Sequence, residues 1–206
     1  MRPTLFPIRR PRVGISVSAS ALSLVALRRP WFRRPIVKQV LERPLPSGLL
    51  KVSATEPHIT DLDAFAQELR ALTEGLSERT IALSVPNRAM HMGVFAFDRF
   101  PDDPEERAGL IKWRFREDLN LTIGDARVMM QIFPAGTRTQ VLAVAVRQTI
   151  LDQYEDVCAR AGLIPVSMGF SHLQLIGLYR RLMKGARRLC VMHWAGDEFM
   201  LLLFDQ

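Results

Sequence analysis

The sequence contains little cysteine. Only two, Cys158 and Cys190, occur in 206 residues, which is too few for the disulfide framework of a small secreted domain. Both stand among apolar residues, so both are predicted to be small buried thiols. The shortage of cysteine therefore favours a reducing compartment, the cytoplasm.

The sequence also lacks the short motifs of familiar enzyme classes. It has no Gly-x-Ser-x-Gly elbow, no Walker loop and no dinucleotide-binding glycine pattern. Its four histidines show no ligand-like spacing with one another or with the cysteines; they are His58, His91, His172 and His193. We predict neither a metal site nor a bound cofactor.

No apolar run in the sequence is long enough to cross a bilayer. The longest candidate, residues 13–27, follows a group of arginines and so superficially resembles a signal peptide. Serines interrupt it, however, and Arg28 and Arg29 stand where a cleavage site needs small residues. It is also shorter than the roughly 20 residues of a spanning helix. The segment favours folded strands over export or anchoring.

Acidic residues are almost missing from the first quarter of the chain. Residues 1–50 hold ten Lys and Arg against Glu42 alone, whereas residues 51–206 hold eighteen against twenty acids. The net charge of +7 therefore comes from the first fifty residues. Such a cluster can bind anionic lipid or nucleic acid. Arginine pairs beside strands are about as often a solvent-exposed edge of the fold. Specific nucleic-acid binding is not favoured. The basic cluster comprises Arg9, Arg10, Arg12, Arg28, Arg29, Arg33 and Arg34.

Apolar residues are plentiful, at 48% of the chain, and they are periodic. Alternation at Val13, Ile15 and Val17 predicts a strand, and a four-residue turn over 18–21 leads to a second strand. Thr60 is predicted to cap a helix whose apolar residues share one face. The predicted elements of this first part are strands over 13–17, 22–26 and 36–41, a helix over 60–76 and a strand over 79–85.

The rest of the chain continues with alternating strands and helices. Pro104 suits the first turn of a helix, and Gly162 suits the left-handed residue that ends one. The predicted elements are strands over 90–97, 127–133 and 140–146, helices over 104–119 and 149–161, a strand over 164–168, a helix from Ser171 and a hairpin over 188–204.

Five segments, in their order and spacing, resemble the actin-like type IV pilus assembly protein PilM family. The similarity extends to the cytoplasmic part of the type II secretion protein GspL and, more distantly, to the cell-division protein FtsA. The segments are residues 13–20, at the place of the family's first phosphate loop; 81–86, a strand ending in proline; 111–119, similar to its Ile-x-Trp-Glu helix; 141–146; and 161–163, before the helix from Ser171.

The resemblance implies an α/β fold of the actin-like, ribonuclease H-like type: a mixed sheet with helices and a small inserted α/β subdomain. The implied first subdomain is discontinuous, over 1–86 and 160–187, with the inserted subdomain over 87–159. Residues 188–206 are expected to begin a second lobe that the sequence does not complete.

The two phosphate loops depart from the family pattern. Where relatives carry a metal-organising Asp in the first loop, this chain has serines, and where the second loop normally reads Asp-Ile-Gly it has His193. A neutral imidazole does not replace a carboxylate as a ligand for a hard cation. We therefore expect no ATP hydrolysis, although the serines also fit an ordinary polar turn. The degenerate loop positions are Ser16, Ser18, Ser20, Ser23, His193 and Gly196.

The family resemblance implies a cytoplasmic scaffold, peripheral to the inner membrane, that binds a peptide tail of a PilN-like or GspM-like inner-membrane protein. Trp113, Arg114 and Glu117 are the candidate partner-binding residues, because exposed aromatic and arginine side chains carry much interface energy; Trp113 at the edge of a core is the competing interpretation. Arg9, Arg10 and Arg12 are expected to meet anionic headgroups. Alternative functions are an actin-like ATPase or sugar-kinase-like fragment, and a basic nucleic-acid-binding module.

Overall fold

The structure of the protein is a computed structural model, and it describes residues 11–28, 34–119, 124–135, 137–175, 188–195 and 198–205. Contacts divide the chain into two compact units. Unit 1 takes Met1–Arg43, Gly75–Asn87 and Leu163–Gln206, and unit 2 takes Pro44–Glu74 and Arg88–Gly162. The subdomain boundaries predicted from the family resemblance stay a prediction.

The regular elements alternate between strands and helices as the sequence periodicity predicts. In chain order they are β1 (Val13–Val17), β2 (Ala21–Arg28), β3 (Ile36–Pro44), α1 (Leu62–Leu72), β4 (Thr80–Val85), β5 (Met90–Phe97), α2 (Pro104–Leu119), β6 (Ala126–Ala135), β7 (Arg138–Arg147), α3 (Gln148–Arg160), β8 (Ile164–Phe170), β9 (Arg188–Ala195) and β10 (Glu198–Asp205). Residues 171–175 are also helical.

Unit 1 is built on a five-stranded mixed sheet in the order β3-β2-β1-β4-β8. β1 and β2 form the predicted antiparallel hairpin, and the Ser18 amide donates to the Ala21 carbonyl at 2.9 Å to close its turn. β1 pairs in parallel with β4, and β4 with β8. The combination of antiparallel and parallel pairing confirms the predicted mixed sheet. The alternation of β1 buries Val13, Ile15 and Val17 on one face.

The β9–β10 hairpin of unit 1 corrects one expectation. Cys190 is exposed, not buried, because it shares the solvent face of the hairpin. The strand register places Cys190 opposite Leu203, and period-2 alternation puts the large apolar residues of both strands on that face. These exposed residues are Met192, Trp194, Phe199, Leu201 and Leu203. Cys158 in α3 is buried as predicted.

Unit 2 contains a three-stranded antiparallel sheet, β5-β7-β6, covered on one face by α2. Phe115 of α2 meets Phe95 of β5 edge to face, with ring centroids 5.2 Å apart. Eight buried residues form this core, namely Phe95, Phe97, Ile111, Phe115, Ala126, Val141, Ala143 and Ala145. The amphipathic helix predicted over 104–119 is thus confirmed by its buried face.

Unit 2 also contains α1 and α3. The predicted cap of α1 is wrong by one residue, because the Thr60 hydroxyl donates to the carbonyls of Gly48 and Leu49. The Asp61 carboxylate caps the helix instead, accepting from the amides of Asp63 and Ala64 at 3.0 and 2.9 Å.

The end of α3 matches the prediction. Gly162 stands just after the helix with φ +72°, a conformation that glycine adopts without strain. Across the described ranges, no helix combines the length and apolarity that spanning a membrane requires.

Candidate functional site

The carboxyl ends of the parallel strands of unit 1 bring small polar residues into one row. The strand registers place Ser16 of β1 beside Ser84 of β4, and Ser84 beside Gly169 of β8. Ser23 of β2 extends the row on the other side of Ser16. Ligands of open α/β sheets bind outside the carboxyl ends of the strands, so this row is a candidate site.

Ser84 is the residue of this row that the sequence analysis missed. The residue is 8% exposed, and its Oγ has no hydrogen-bond partner among the residues that the structure describes. A buried hydroxyl without a partner costs about 1–3 kcal/mol. Its place in the strand Ile-Ala-Leu-Ser-Val-Pro is the only signal in the sequence, because a polar residue interrupts an apolar run.

The hydroxyl of Ser18 is used inside the β1–β2 turn. Its Oγ donates to the Ala21 carbonyl at 2.9 Å and accepts from the Ala21 amide at 3.0 Å. Ser20 is exposed in the same turn. These bonds agree with the interpretation of the serines as a polar turn, since the Ser18 side chain completes the turn itself.

His193 lies close to His172 within unit 1. Their rings meet edge to face with centroids 4.8 Å apart, and Nδ1 of His193 has no hydrogen-bond partner within the described ranges. Asn87 fixes the chain at His172: its side-chain amide donates to Ser171 Oγ at 3.0 Å, and its Oδ1 accepts from the His172 amide at 3.2 Å. Gly196 lies outside the described residues.

These groups of unit 1 offer hydroxyls, imidazoles and one amide. Hard divalent cations prefer carboxylate oxygens, and the described residues contain no group of three His, Cys, Asp or Glu side chains placed to hold a metal. The arrangement is suited to donating and accepting hydrogen bonds.

The second candidate site is on α2 of unit 2. Trp113 is 45% exposed. The Arg114 guanidinium lies over three aromatic rings, with its central carbon 5.7 Å from the centroid of Phe95, 5.6 Å from Phe97 and 5.9 Å from Trp113. Arginine stacked on aromatic faces gains cation–π stabilisation. The sequence indicated Trp113 and Arg114 but not the two phenylalanines of β5, which only the packing of α2 on β5 brings beneath them.

The charges of this surface are only partly satisfied. Arg114 Nη2 pairs with Asp118 at 2.9 Å, whereas its Nε is buried without a hydrogen-bond partner in the described part of the chain. Glu117 accepts from Arg116 Nε at 3.2 Å and is exposed. Trp113, beside the Arg114 guanidinium, supplies a half-exposed aromatic surface.

Arg114 lies above an edge strand. β7 is the central strand of the three-stranded sheet, so β5 has a partner strand on one side only among the described elements. Edge strands expose unpaired backbone N–H and C=O groups to which an extended peptide can pair. We call Trp113, Arg114 and β5 together the α2–β5 surface.

The fold is similar to that of two solved structures. The chain superposes on a chain of a PilM–PilN type IV pilus biogenesis complex with a TM-score of 0.76 and 23% identity, covering 95% of this chain and 58% of that one. It superposes on the cytoplasmic domain of EpsL, an inner-membrane component of the type II secretion system of Vibrio cholerae, with a TM-score of 0.56 and 8% identity, covering 94% and 70%.

These similarities confirm the predicted fold. The chain spans 58% of the length of the chain from the PilM–PilN complex. No protein-family model matches the sequence, and no curated protein matches it either. At this level of identity the likeness concerns the architecture alone.

Proposed function

We propose that this chain is a non-catalytic, actin-like scaffold of a type IV pilus or secretion assembly platform, and that it binds a peptide tail of an inner-membrane protein. The single observation that carries the proposal is the α2–β5 surface, where a half-exposed tryptophan adjoins an arginine stacked on aromatic rings above an edge strand. The likeness to a chain of a PilM–PilN complex supports it.

The proposed partner is a PilN-like or GspM-like protein, and a short extended segment of it is the part that binds. Backbone pairing along β5 would supply sequence-independent affinity, and Trp113 would contact an apolar side chain of the segment. The Arg114 guanidinium, paired with Asp118 and next to the Trp113 ring, would hold that ring in place. Glu117, already paired with Arg116, would lie at the rim of the interface.

Binding of a synthetic peptide tests this proposal. The probe is the N-terminal cytoplasmic peptide of the PilN-like protein from the same cell, titrated by fluorescence anisotropy. Trp113→Ala is expected to weaken binding about tenfold or more, because a buried aromatic anchor contributes disproportionately. Trp194→Ala is the matched control, since it removes another exposed tryptophan, on the β9–β10 hairpin of unit 1. Equal losses in both variants would remove the α2–β5 surface from the proposal.

A second pair of variants tests the arginine geometry. Arg114→Lys keeps the positive charge but removes the Nε–H and the planar group that stacks on the rings. Arg116→Lys makes the same chemical change at an exposed position of the same helix. We expect the peptide affinity to fall in Arg114→Lys and to stay within about twofold of wild type in Arg116→Lys.

We propose further that the protein does not hydrolyse ATP. Magnesium-bridged phosphoryl transfer depends on carboxylates and on tight positioning, and the positions Ser16, Ser23 and His193 supply hydroxyls and an imidazole. Calorimetry with Mg-ATP is the test. Micromolar, magnesium-dependent binding would favour the rival function, an actin-like ATPase or sugar-kinase-like enzyme fragment.

The N-terminal arginines are proposed to hold the complex at the cytoplasmic side of the inner membrane. Arg12 is exposed, while Arg9 and Arg10 lie outside the described residues. Removing residues 1–12 is expected to leave peptide affinity unchanged and to lower association with anionic vesicles. A steep salt dependence of DNA binding, lost on the same deletion, would instead favour the nucleic-acid-binding alternative.

A further inference from the structure

Unit 1 contains a cavity at the opposite end of the sheet from the row of serines. Its volume is about 450 Å³, which is within the usual size range of small-ligand sites. The start of β1 and the end of β2 form one side, with the Leu27 amide donating to the Arg12 carbonyl at 2.7 Å. Lys38 of β3 and the segment 75–78 before β4 complete the lining.

The cavity concentrates positive charge. Arg12, Arg28 and Lys38 line it against one carboxylate, Glu78, so three cations less one anion leave a formal charge of +2. The Thr80 hydroxyl donates to Glu78 Oε1 at 2.7 Å. No ion pair of Arg12, Arg28 or Lys38 occurs in the part of the chain that the structure describes.

Arg12, Arg28 and Lys38 are exposed around one concavity, so a bound anion reaches all three cations. Two of the three are arginines, whose planar guanidinium forks match the oxygen atoms of phosphate. The remaining lining includes apolar residues, namely Val13, Ala26, Leu27 and Leu76. An anion that carries a small organic group therefore fits this lining better than a bare inorganic ion.

We infer that this cavity is a phosphate-binding site, which takes the phosphate of a phospholipid headgroup or of a small soluble phosphate ester. The inference is independent of the proposed peptide binding, because the cavity belongs to unit 1 and the α2–β5 surface to unit 2. It also differs from general attraction of a basic N-terminus to a membrane, since it requires Arg28 and Lys38 at defined places.

The test uses two double variants of the whole chain that lower the net charge equally. Arg12→Gln with Arg28→Gln alters the cavity. Lys51→Gln with Arg99→Gln is the matched control, because both residues are exposed in unit 2 and neither lines the cavity. Circular dichroism and urea unfolding first check that both variants fold; the single variant Lys38→Gln replaces the cavity variant if it does not.

Two binding measurements distinguish the source of the phosphate. Calorimetry with glycerol 3-phosphate probes a soluble ester, and co-sedimentation with phosphatidylcholine vesicles, with and without phosphatidylglycerol, probes a lipid headgroup. We expect the cavity variant to lose about tenfold or more in affinity and the control to stay within about twofold of wild type. Binding to the ester alone supports a soluble ligand. Binding to vesicles that glycerol 3-phosphate displaces supports a lipid.

Two results would overturn the inference. One is the absence of binding of the wild-type chain to both the ester and the anionic vesicles at low salt. The other is an equal loss of affinity in the cavity variant and in the control, which would mean that net charge alone attracts the anion. Peptide binding measured on the same variants is expected to be unchanged, so failure of this inference would not count against the proposed scaffold function.

Discussion

His58 and Tyr154, 96 positions apart in the chain, form a buried hydrogen bond in unit 2. His58 Nδ1 lies 2.9 Å from the Tyr154 hydroxyl, and the rings meet edge to face. His58 Nε2 donates to the Ser53 carbonyl, which leaves Nδ1 as the acceptor for the tyrosine O–H. Both ring nitrogens are thus used in the neutral form of the imidazole. Gln153 supports the same segment by accepting from the amides of His58 and Ile59 at 2.7 and 3.2 Å.

The neutral state of His58 predicts that stability falls at acidic pH. Burial lowers the pKa of His58, an effect that the hydrogen bond to Ser53 only partly opposes. The pKa of His91 is lowered by burial and by the charge of Arg147. At pH values between the lowered pKa values and the unfolded value of 6.5, the unfolded chain binds more protons than the folded chain. The free energy of unfolding therefore decreases as the pH falls below 6.5.

Urea unfolding at several pH values between about 5 and 7.5 measures this slope. His58→Gln and His91→Gln, each measured alone, apportion the slope between the two residues. A free energy of unfolding that is constant across this interval in the wild-type chain would contradict the prediction.

Tyr154→Phe is expected to destabilise the protein by about 1–3 kcal/mol. The substitution keeps the buried ring but removes the O–H, which leaves His58 Nδ1 as a buried acceptor without a donor. A double-mutant cycle with His58→Ala isolates the pair, because the cost of losing the hydroxyl should shrink when the imidazole is already gone. Additive costs in the cycle would show that the two side chains are not coupled.

The capping of α1 by Asp61 can be tested by substitution at that residue. Asp61→Ala removes the side chain that accepts from two helix amides and is expected to cost about 0.5–2 kcal/mol of stability. Asp61→Asn, which retains an accepting side-chain oxygen, should restore most of it. Thermal unfolding monitored by circular dichroism compares the two. If Asp61→Ala is as stable as wild type, the cap contributes nothing measurable.

The two cysteines are predicted to differ in reactivity. Burial, with a contribution from Glu155, raises the pKa of the Cys158 thiol to about 12, so almost no thiolate is present near neutral pH. Cys190 is exposed on the β9–β10 hairpin. One thiol should therefore react promptly with a disulfide reagent at pH 8 and the second only after denaturation. Cys190→Ser is expected to abolish the prompt reaction, and a prompt reaction that remains would contradict the assignment.

The local structure was predictable where a pattern of neighbours carries it. Alternation in Val13–Val17 indicated β1, and the left-handed position after α3 required a residue such as Gly162. The cap of α1 was misassigned because Thr60 and Asp61 are both suitable caps. Only the tertiary structure shows that the Thr60 hydroxyl already donates to the carbonyls of Gly48 and Leu49.

The candidate sites were predictable only in part. The sequence indicated Trp113 and Arg114, since an aromatic beside a cation on a mixed helix is a recognisable interface pattern. Phe95 and Phe97 beneath the Arg114 guanidinium were not predictable, because they come from a strand whose position against α2 depends on the packing of the whole sheet. The burial of Ser84 was not predictable either, because it depends on the register between the strands.

The sequence by itself determined which segments become strands or helices and where the chain turns, because backbone geometry and apolar periodicity act over a few neighbouring residues. Tertiary structure alone decided that Tyr154 satisfies His58, that Arg12, Arg28 and Lys38 line one cavity, and that Cys190 is exposed while Cys158 is buried. Those outcomes depend on how strands and helices from distant parts of the chain pack together, and no local pattern specifies that packing.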